Sequence, residues 1–337
     1  MGLGKYVLKR LLLAIPMTLV LLSVVFFVLR VLPGDPVTAW TGIKVLPEVR
    51  ARLLHEFGLD KPLYIQYFEY MINLFKGDMG HSYSTGRSVI TEISLRFPAT
   101  LELTVAGMIV AILIGLLSGV TSAIKRDSAT DHGLRVFSLF TYAMPVFWLG
   151  LMLQLVFSVN LRILPVAFRI DIGTSPTTIT GLYILDSIIT GNTRALVSSA
   201  THLILPALTL GLYASTAITR ISRANMIGVL DQDYITTARL KGLAERRVIY
   251  KHALPNVFLP IITVVGMQFA LLMGGAILTE SIFSIYGMGR LLLTGLYERD
   301  FPIVQGCAAI YAIVIALSSL VVDVMYYLLD PRIRHES

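Results

Sequence analysis

Charge and cysteine are both scarce in this sequence of 337 residues. Charged residues make up only 15% of the chain and hydrophobic residues 55%, whereas a soluble domain has about 25% charged residues. Cys307 is the only cysteine, so an internal disulfide and a metal site built on several thiolates are both excluded. The composition therefore indicates a membrane protein.

The sequence also lacks the local motifs of common catalytic sites. It contains no H-E-x-x-H zinc motif, no G-x-S-x-G nucleophile elbow and no Walker-type phosphate loop. Six histidines are scattered along the chain, and each is better explained as a surface or interfacial polar residue than as a ligand. We therefore expect no enzyme activity and no bound metal or cofactor. Energy for uphill transport would have to come from another protein.

Long uncharged runs are the main feature that the sequence does have. They occupy residues 11–29, 103–124, 136–161, 203–219, 253–279 and 301–322. A helix needs roughly 18 to 25 apolar residues to cross a bilayer, and only the run at 203–219 is short of that length, unless His202 and the residues before it belong to it. The runs predict an all-α polytopic membrane protein with six transmembrane helices, the second starting after Pro98. Pro145 should kink the third span.

Lys and Arg residues near the span ends are concentrated on one side, which places both termini in the cytoplasm. No A-x-A-like cleavage site follows the first run, so it is predicted to remain as a span. Residues 1–32 then form the N-terminal transmembrane helix, 33–97 an extracytoplasmic helical segment, 98–330 a five-helix core and 331–337 a cytoplasmic tail. No basic stretch is interleaved with stacking aromatics, so nucleic acid is not an expected partner.

The segment at 33–97 is patterned as two amphipathic helices outside the membrane. Residues 47–57 begin with a proline at the first turn, and residues 66–76 are followed by a stop at Gly77. Such helices either lie on the lipid surface or pack as a cap on the bundle. The cap is favoured because neither polar face is rich in Lys or Arg.

Residues 231–256 form the longest polar insert on the predicted cytoplasmic side. Asp233 is a plausible N-cap for a two-turn helix at 234–241, and Gly242 stands where a C′ glycine would end it. A second short helix at 244–252 would end before Pro255. The insert is basic, so it is either a plug for a cytoplasmic partner or an ordinary solvated loop, and the residue pattern leaves both interpretations open.

Three carboxylates lie in or beside the spans: Glu102, Glu280 and Asp323. Charge inside a membrane is costly, so each is a functional candidate, and together they would suit a stand-alone proton-coupled carrier. Their positions near the ends of the runs favour simpler partners, such as headgroups, water or a neighbouring helix. An inverted repeat, which many such carriers have, is not detectable.

The insert resembles the EAA loop of ABC importer permeases, whose pattern is E-A-A, three residues, Gly, nine residues and I-x-L-P. Thr236-Thr237-Ala238, Gly242 and His252-Ala253-Leu254-Pro255 stand at these positions. The leading Glu and Ala are Thr and the Ile is His, as in the variant of the peptide and nickel branch. Five further stretches resemble the first permease of dipeptide systems, at residues 32–36, 58–62, 77–80, 277–283 and 330–334.

The resemblance implies a type I importer fold and a subunit of a prokaryotic plasma-membrane transporter. A second, similar permease would complete the pathway, two ATPase subunits would use the ATP and grip the two EAA loops, and an extracytoplasmic binding protein would deliver a dipeptide or short peptide. Nickel or haem is the alternative cargo. Membrane lipid would surround the spans.

The resemblance also assigns residues to two sites. The loop that couples to the ATPases would use Asp233, Tyr234, Thr236, Thr237, Ala238, Arg239, Lys241, Gly242, Leu254 and Pro255. Tyr142, Gln268 and Glu280 would lie near the substrate pathway, where each is either a lining residue or a helix-packing contact.

Overall fold

A computed structural model describes residues 3–31, 37 and 46–329 of the chain. Fourteen α-helices follow one another in this described part: α1 (Leu3–Val31), α2 (Pro47–Glu56), α3 (Leu63–Phe75), α4 (Val89–Ile124), α5 (Ala129–Ala143), α6 (Val146–Leu153), α7 (Tyr183–Ile189), α8 (Thr193–Leu230), α9 (Asp233–Leu240), α10 (Glu245–Arg247), α11 (Phe258–Gly275), α12 (Ile277–Ile282), α13 (Met288–Tyr297) and α14 (Phe301–Leu329). A π-helical turn at Gln154–Asn160 extends α6. A π-helical turn at Val248–Ala253 and a 3₁₀ turn at Leu254–Val257 join α10 to α11.

Five helical segments are long and apolar enough to cross a bilayer, and there are six if the bent pair α5–α6 counts as one span. The five are most of α1, α4, α8, the stretch Glu245–Gly275, and α14. The predicted all-helical membrane architecture is therefore confirmed for the described residues. The six-span count holds when α5 and α6 are taken together.

The break at Pro145 is far sharper than the expected kink. The axes of α5 and of α6 with its π-helical extension differ by 105°. Met144 is extended at ψ 135°, and Pro145 then stands at the N-cap of α6. A proline disfavours helical geometry in the residue before it and cannot donate to the preceding turn, so the first helix ends and a second begins.

Two helices extend beyond the apolar runs that predict their spans. The second span does not start after Pro98, because α4 begins at Val89 and includes that proline; a proline inside a membrane helix is tolerated where neighbouring groups satisfy the freed carbonyl. The short run at 203–219 is the middle of α8, a helix of 38 residues. The ends of this helix could not be located from the apolar run because they carry polar residues. Several of these polar residues, including His202 and Ser222, are buried in the fold.

Helices α4 and α8 make the most extensive contact in the bundle. Glycines on α4 permit it: a Cβ on Gly115 would lie 2.7 Å from Cβ of Ile218, and one on Gly119 would lie 2.6 Å from Cβ of Ser222. Both distances are shorter than any real contact of that kind, so the two backbones are as close as small residues allow. This pair holds α8 in place, and α8 leads directly into the polar insert.

The predicted extracytoplasmic helices appear as α2 and α3, and α3 packs against α1. Ser23 and Tyr67 share a hydrogen bond of 2.8 Å between their hydroxyls, and Nε of Arg30 donates to Gln66 at 3.0 Å. Phe26 is fully buried beside Tyr67. The motifs at residues 32–36 and 330–334 lie outside the described residues.

Candidate functional site

The polar insert begins directly where α8 ends. Helix α9 starts at Asp233, but the expected N-cap role of this residue is wrong. Gln232 occupies the N-cap without a side-chain hydrogen bond. Asp233 is the first helical residue, a position where negative charge is favoured by the helix dipole. Thr237 reinforces the turn by donating from its hydroxyl to the carbonyl of Asp233 at 2.9 Å.

Gly242 ends α9 as the sequence predicts. Its φ is +75°, in the left-handed region that favours glycine. The Gly242 amide donates to the carbonyl of Arg239 at 2.9 Å, and the Leu243 amide donates to that of Ala238 at 3.4 Å. These two bonds form a Schellman cap, with Leu243 returning to the apolar core. The chain direction after α9 is therefore fixed by one residue.

The second helical piece starts near its predicted position but does not end before Pro255. After α10 the chain continues through π-helical and 3₁₀ turns into α11, so that Glu245–Gly275 forms one helical stretch. Pro255 stands in the first turn of the 3₁₀ segment, where a missing amide hydrogen has no consequence. The insert therefore leads into the following span through one helical stretch.

Helix α9 is anchored through one face only. Ile235 and Ala238 are buried, in a cluster that also contains Met226 of α8 and Val248 and Val257 of the second piece. Two polar contacts complete the attachment. Arg239 pairs with Glu245 at 2.8 Å, which raises the pKa of the guanidinium, and the Asn256 amide donates to the hydroxyl of Tyr234 at 3.1 Å.

The opposite face of α9 is open. Tyr234, Thr236, Thr237 and Lys241 are exposed, and the side chain of Leu240 is 83% exposed although the residue is apolar. A shallow groove on the second helical piece of the insert is lined by Ala244, Arg246, Arg247, Tyr250, Lys251 and Pro255. An exposed apolar group with a polar and basic rim is the arrangement found at protein interfaces.

A buried ion pair lies at the start of α5, and sequence reasoning missed it. Nε and Nη2 of Arg223 donate to the two carboxylate oxygens of Asp131 at 2.8 and 2.7 Å. Ser122 also donates to Asp131, whose side chain is completely buried. The pair joins α5 to the last turns of α8, next to the insert. No local residue spacing predicts this ion pair. The only signal in the sequence is the presence of a charged residue, Arg223, within a long helix.

The three membrane carboxylates have separate local partners. Glu102 accepts from Arg169 at 2.6 Å and from the Ile184 amide at 2.8 Å, which secures the loop after α6. Asp323 pairs with Arg10 at 3.0 Å. Among the described residues no hydrogen bond or ion pair joins one of these carboxylates to another, and no group of three or more His, Cys, Asp or Glu is placed to hold a metal ion.

The three predicted pathway residues lie in different surroundings. Tyr142 is 60% exposed and stacks on Tyr213 with ring centroids 6.1 Å apart. The side-chain oxygen of Gln268 is buried without a hydrogen-bond partner. Glu280 is fully buried, accepting from the Thr100 hydroxyl and, at 2.9 Å, from the Arg290 amide. Glu280 therefore holds the turn before α13 and has no open face in the chain.

Two family models match nearly the whole chain. The model for the binding-protein-dependent transport system inner membrane component matches residues 111–335, and the model for the N-terminal part of such membrane components matches residues 3–104.

Named relatives are similar over their full length. The chain is 42% identical to the di/tripeptide transport system permease protein DppB of Pseudomonas aeruginosa, over 98% of this chain and 99% of the relative. It is 42% identical to the dipeptide permease DppB of Escherichia coli K12, with the same two shares, and 35% identical to the oligopeptide permease AppB of Bacillus subtilis. Among solved structures, the inward-facing MetNI methionine ABC transporter matches with a TM-score of 0.49 at 15% identity, over 69% of this chain and 93% of that one.

Proposed function

Because the chain belongs to the family of binding-protein-dependent transport system inner membrane components and is a multi-pass permease subunit of an ABC importer, we propose that its cargo is a dipeptide or another short peptide. The relatives that are named as dipeptide or di/tripeptide permeases are similar to this chain from end to end. The same class of cargo therefore suits this chain. In this proposal the permease forms half of the pathway, and a second, similar permease forms the other half.

The proposed partners on the cytoplasmic side are two ATPase subunits, one of which grips α9. The observation that supports this role is the contrast between the two faces of α9: Ile235 and Ala238 are fixed in the core, whereas Leu240 and its neighbours are open. A short helix transmits a push only if its ends are fixed. The Schellman cap at Gly242 and the continuous helix through Leu254 and Pro255 provide that fixation.

Within the insert the proposed coupling residues divide by position. Tyr234, Thr236, Thr237 and Lys241 would touch the ATPase. Ala238 and Arg239 hold α9 against the second piece, and Asp233 begins the helix. An extracytoplasmic binding protein would deliver the cargo from the other side.

For the substrate pathway, Gln268 is the strongest of the three candidates. A buried amide oxygen without a partner is rare in a folded chain, and a group supplied by the second permease or by a passing peptide would satisfy it. Tyr142 is a largely exposed residue at the end of α5, beside the break in the bent span. Glu280 is better explained as a residue that positions the turn before α13, since its carboxylate already accepts hydrogen bonds from the Thr100 hydroxyl and the Arg290 amide.

Uptake into proteoliposomes tests the cargo and the energy source together. We expect the assembled importer, supplied with its binding protein and with ATP in the ATPase compartment, to accumulate a radiolabelled dipeptide. Unlabelled dipeptide should compete, and nickel or haem should not. Omitting ATP while imposing a pH gradient should give no accumulation. Uptake driven by the gradient alone would contradict ATP coupling, and competition by nickel or haem alone would contradict only the peptide cargo.

A further inference from the structure

The second helical piece of the polar insert has one buried flank and one open flank. Val248, Ile249 and Ala253 are buried in the core cluster that also holds α9. The open flank is a shallow basic groove, whose six lining residues are all exposed: Ala244, Arg246, Arg247, Tyr250, Lys251 and Pro255. None of these residues belongs to α9, so the basic groove does not coincide with the face of α9 proposed for the ATPase.

The positive charge of the basic groove is uncompensated. Within the described part of the chain, the side chains of Arg246, Arg247 and Lys251 form no hydrogen bond or ion pair. None of the lining residues is acidic. Glu245, which directly precedes the cations, is already paired with Arg239 at 2.8 Å. The basic groove can therefore bind an anion without losing an internal contact.

The basic groove lies at the level where a bilayer would begin. Glu245–Gly275 is one helical stretch that is apolar enough to cross a membrane, and its uncharged run starts at Ala253. Lys251 precedes that point by roughly 3 Å and Arg246 by roughly 10 Å along the helix axis. The headgroup layer is about 5 to 8 Å thick on each side of the hydrocarbon. Because Lys and Arg have long, flexible stems, all three cations can reach this layer.

The residue types of the basic groove suit an anionic phospholipid. Guanidinium and ammonium groups bind phosphate oxygens through charge-assisted hydrogen bonds. Tyr250, which is 55% exposed, lies in sequence between the cations. Tyr is enriched where acyl chains meet headgroups, because its ring is apolar and its hydroxyl is polar. A basic segment beside a span is attracted to the anionic lipids of the cytoplasmic leaflet.

We propose that the basic groove binds the headgroup of an anionic phospholipid of the phosphatidylglycerol type, with its phosphate on Arg246, Arg247 and Lys251 and its glycerol backbone beside Tyr250. Phosphatidylcholine has the same phosphate, but its trimethylammonium group cancels the net charge and is repelled by the three cations. The bound lipid ties the second helical piece to the membrane surface. This proposal depends neither on the cargo nor on the contact between α9 and the ATPase.

A photo-crosslinking amino acid in the basic groove identifies what lies there. The assembled importer with Tyr250→benzoylphenylalanine is reconstituted in vesicles that contain mostly phosphatidylcholine and a minor share of phosphatidylglycerol. After irradiation, mass spectrometry identifies the crosslinked molecules. We expect lipid crosslinks in which the ratio of phosphatidylglycerol to phosphatidylcholine exceeds the ratio in the vesicles by about tenfold or more, because three cations contribute to the preference.

Lys251→Gln and Lys125→Gln are a matched pair of variants in this background. Both lysines are exposed next to a predicted span on the cytoplasmic side, but Lys125, which follows α4, does not line the basic groove. Lys251→Gln should lower the enrichment about two- to fivefold, and Lys125→Gln should leave it unchanged. Arg246→Gln, Arg247→Gln and Lys251→Gln combined should return the crosslinked lipids to the ratio in the vesicles.

Lipid crosslinks in the ratio of the vesicles from the start would overturn the proposal. Crosslinks to an ATPase subunit in place of lipid would also overturn it, since a protein would then cover the basic groove. Unchanged enrichment in the triple variant would count against the three cations. Ala244 is exposed and lines the same groove, so it offers a second position for the crosslinker. The comparison between the two lipids therefore remains decisive if position 250 does not tolerate the change.

Discussion

Gly242→Val is expected to abolish peptide uptake while the protein still inserts and assembles. The φ of +75° at this position is strained for any L side chain, by about 1 to 2 kcal/mol, and more for a β-branched one. A Cβ here meets no atom within 4 Å, so the effect comes from the backbone and not from a clash. Relief of the strain would undo the Schellman cap and release the end of α9. Uptake and ATPase stimulation in proteoliposomes measure the result.

Gly228 provides the matched control for this substitution. It lies in α8 with ordinary helical geometry, and a Cβ there also meets nothing within 4 Å. Gly228→Val should therefore retain uptake close to that of the unmodified protein. Normal uptake and normal stimulated ATPase activity in Gly242→Val would contradict the role given to the end of α9.

Arg223→Leu is expected to destabilise the permease strongly. The substitution leaves Asp131 buried with its charge unpaired, and breaking a buried pair from one side costs about 3 to 5 kcal/mol. The thermal midpoint of the purified protein in detergent should fall, and uptake should fall with it because α5 loses its tie to α8. Replacing both partners, as Asp131→Leu with Arg223→Leu, should recover most of the stability, since no unpaired charge then remains.

Arg126 shows by contrast what an exposed pair contributes. It lies 3.5 Å from Asp231, and both side chains are more than half exposed. Arg126→Leu should change the free energy of unfolding by less than about 1 kcal/mol. If Arg223→Leu melts like the unmodified protein, or if the double variant is no more stable than the single one, the buried pair does not have the role described.

The sequence predicts those features that depend on local chemistry. Glycine at position 242 ends α9 because few other residues adopt a positive φ, and the apolar runs locate the spans because each must match the bilayer. Helices α2 and α3 lie within a few residues of their predicted bounds, because Pro47 marks the start of α2 and Gly77 follows the end of α3.

Features that depend on distant residues could not be predicted in this way. The full length of α8 does not follow from the apolar run at 203–219, because the ends of the helix are polar. Those polar groups are satisfied by partners such as Asp131, which is 92 residues away from Arg223. The start of α4 at Val89 does not follow from the sequence, because Pro98 has the appearance of a first-turn residue. The 105° break after α5 exceeds what one proline imposes, since the packing of α6 against α8 and α12 sets its direction.

The most direct test of the coupling surface is the accessibility of Leu240 to a thiol reagent. Cys307 is completely buried, so Leu240→Cys in a Cys307→Ala background gives a single exposed thiol. Leu63→Cys, on the predicted extracytoplasmic helix α3, is the control, being 48% exposed. If α9 receives the ATPase, the thiol at position 240 should react rapidly in the isolated permease and at least tenfold more slowly in the assembled importer, with no change at position 63. Equal reactivity at position 240 in both states would contradict the account.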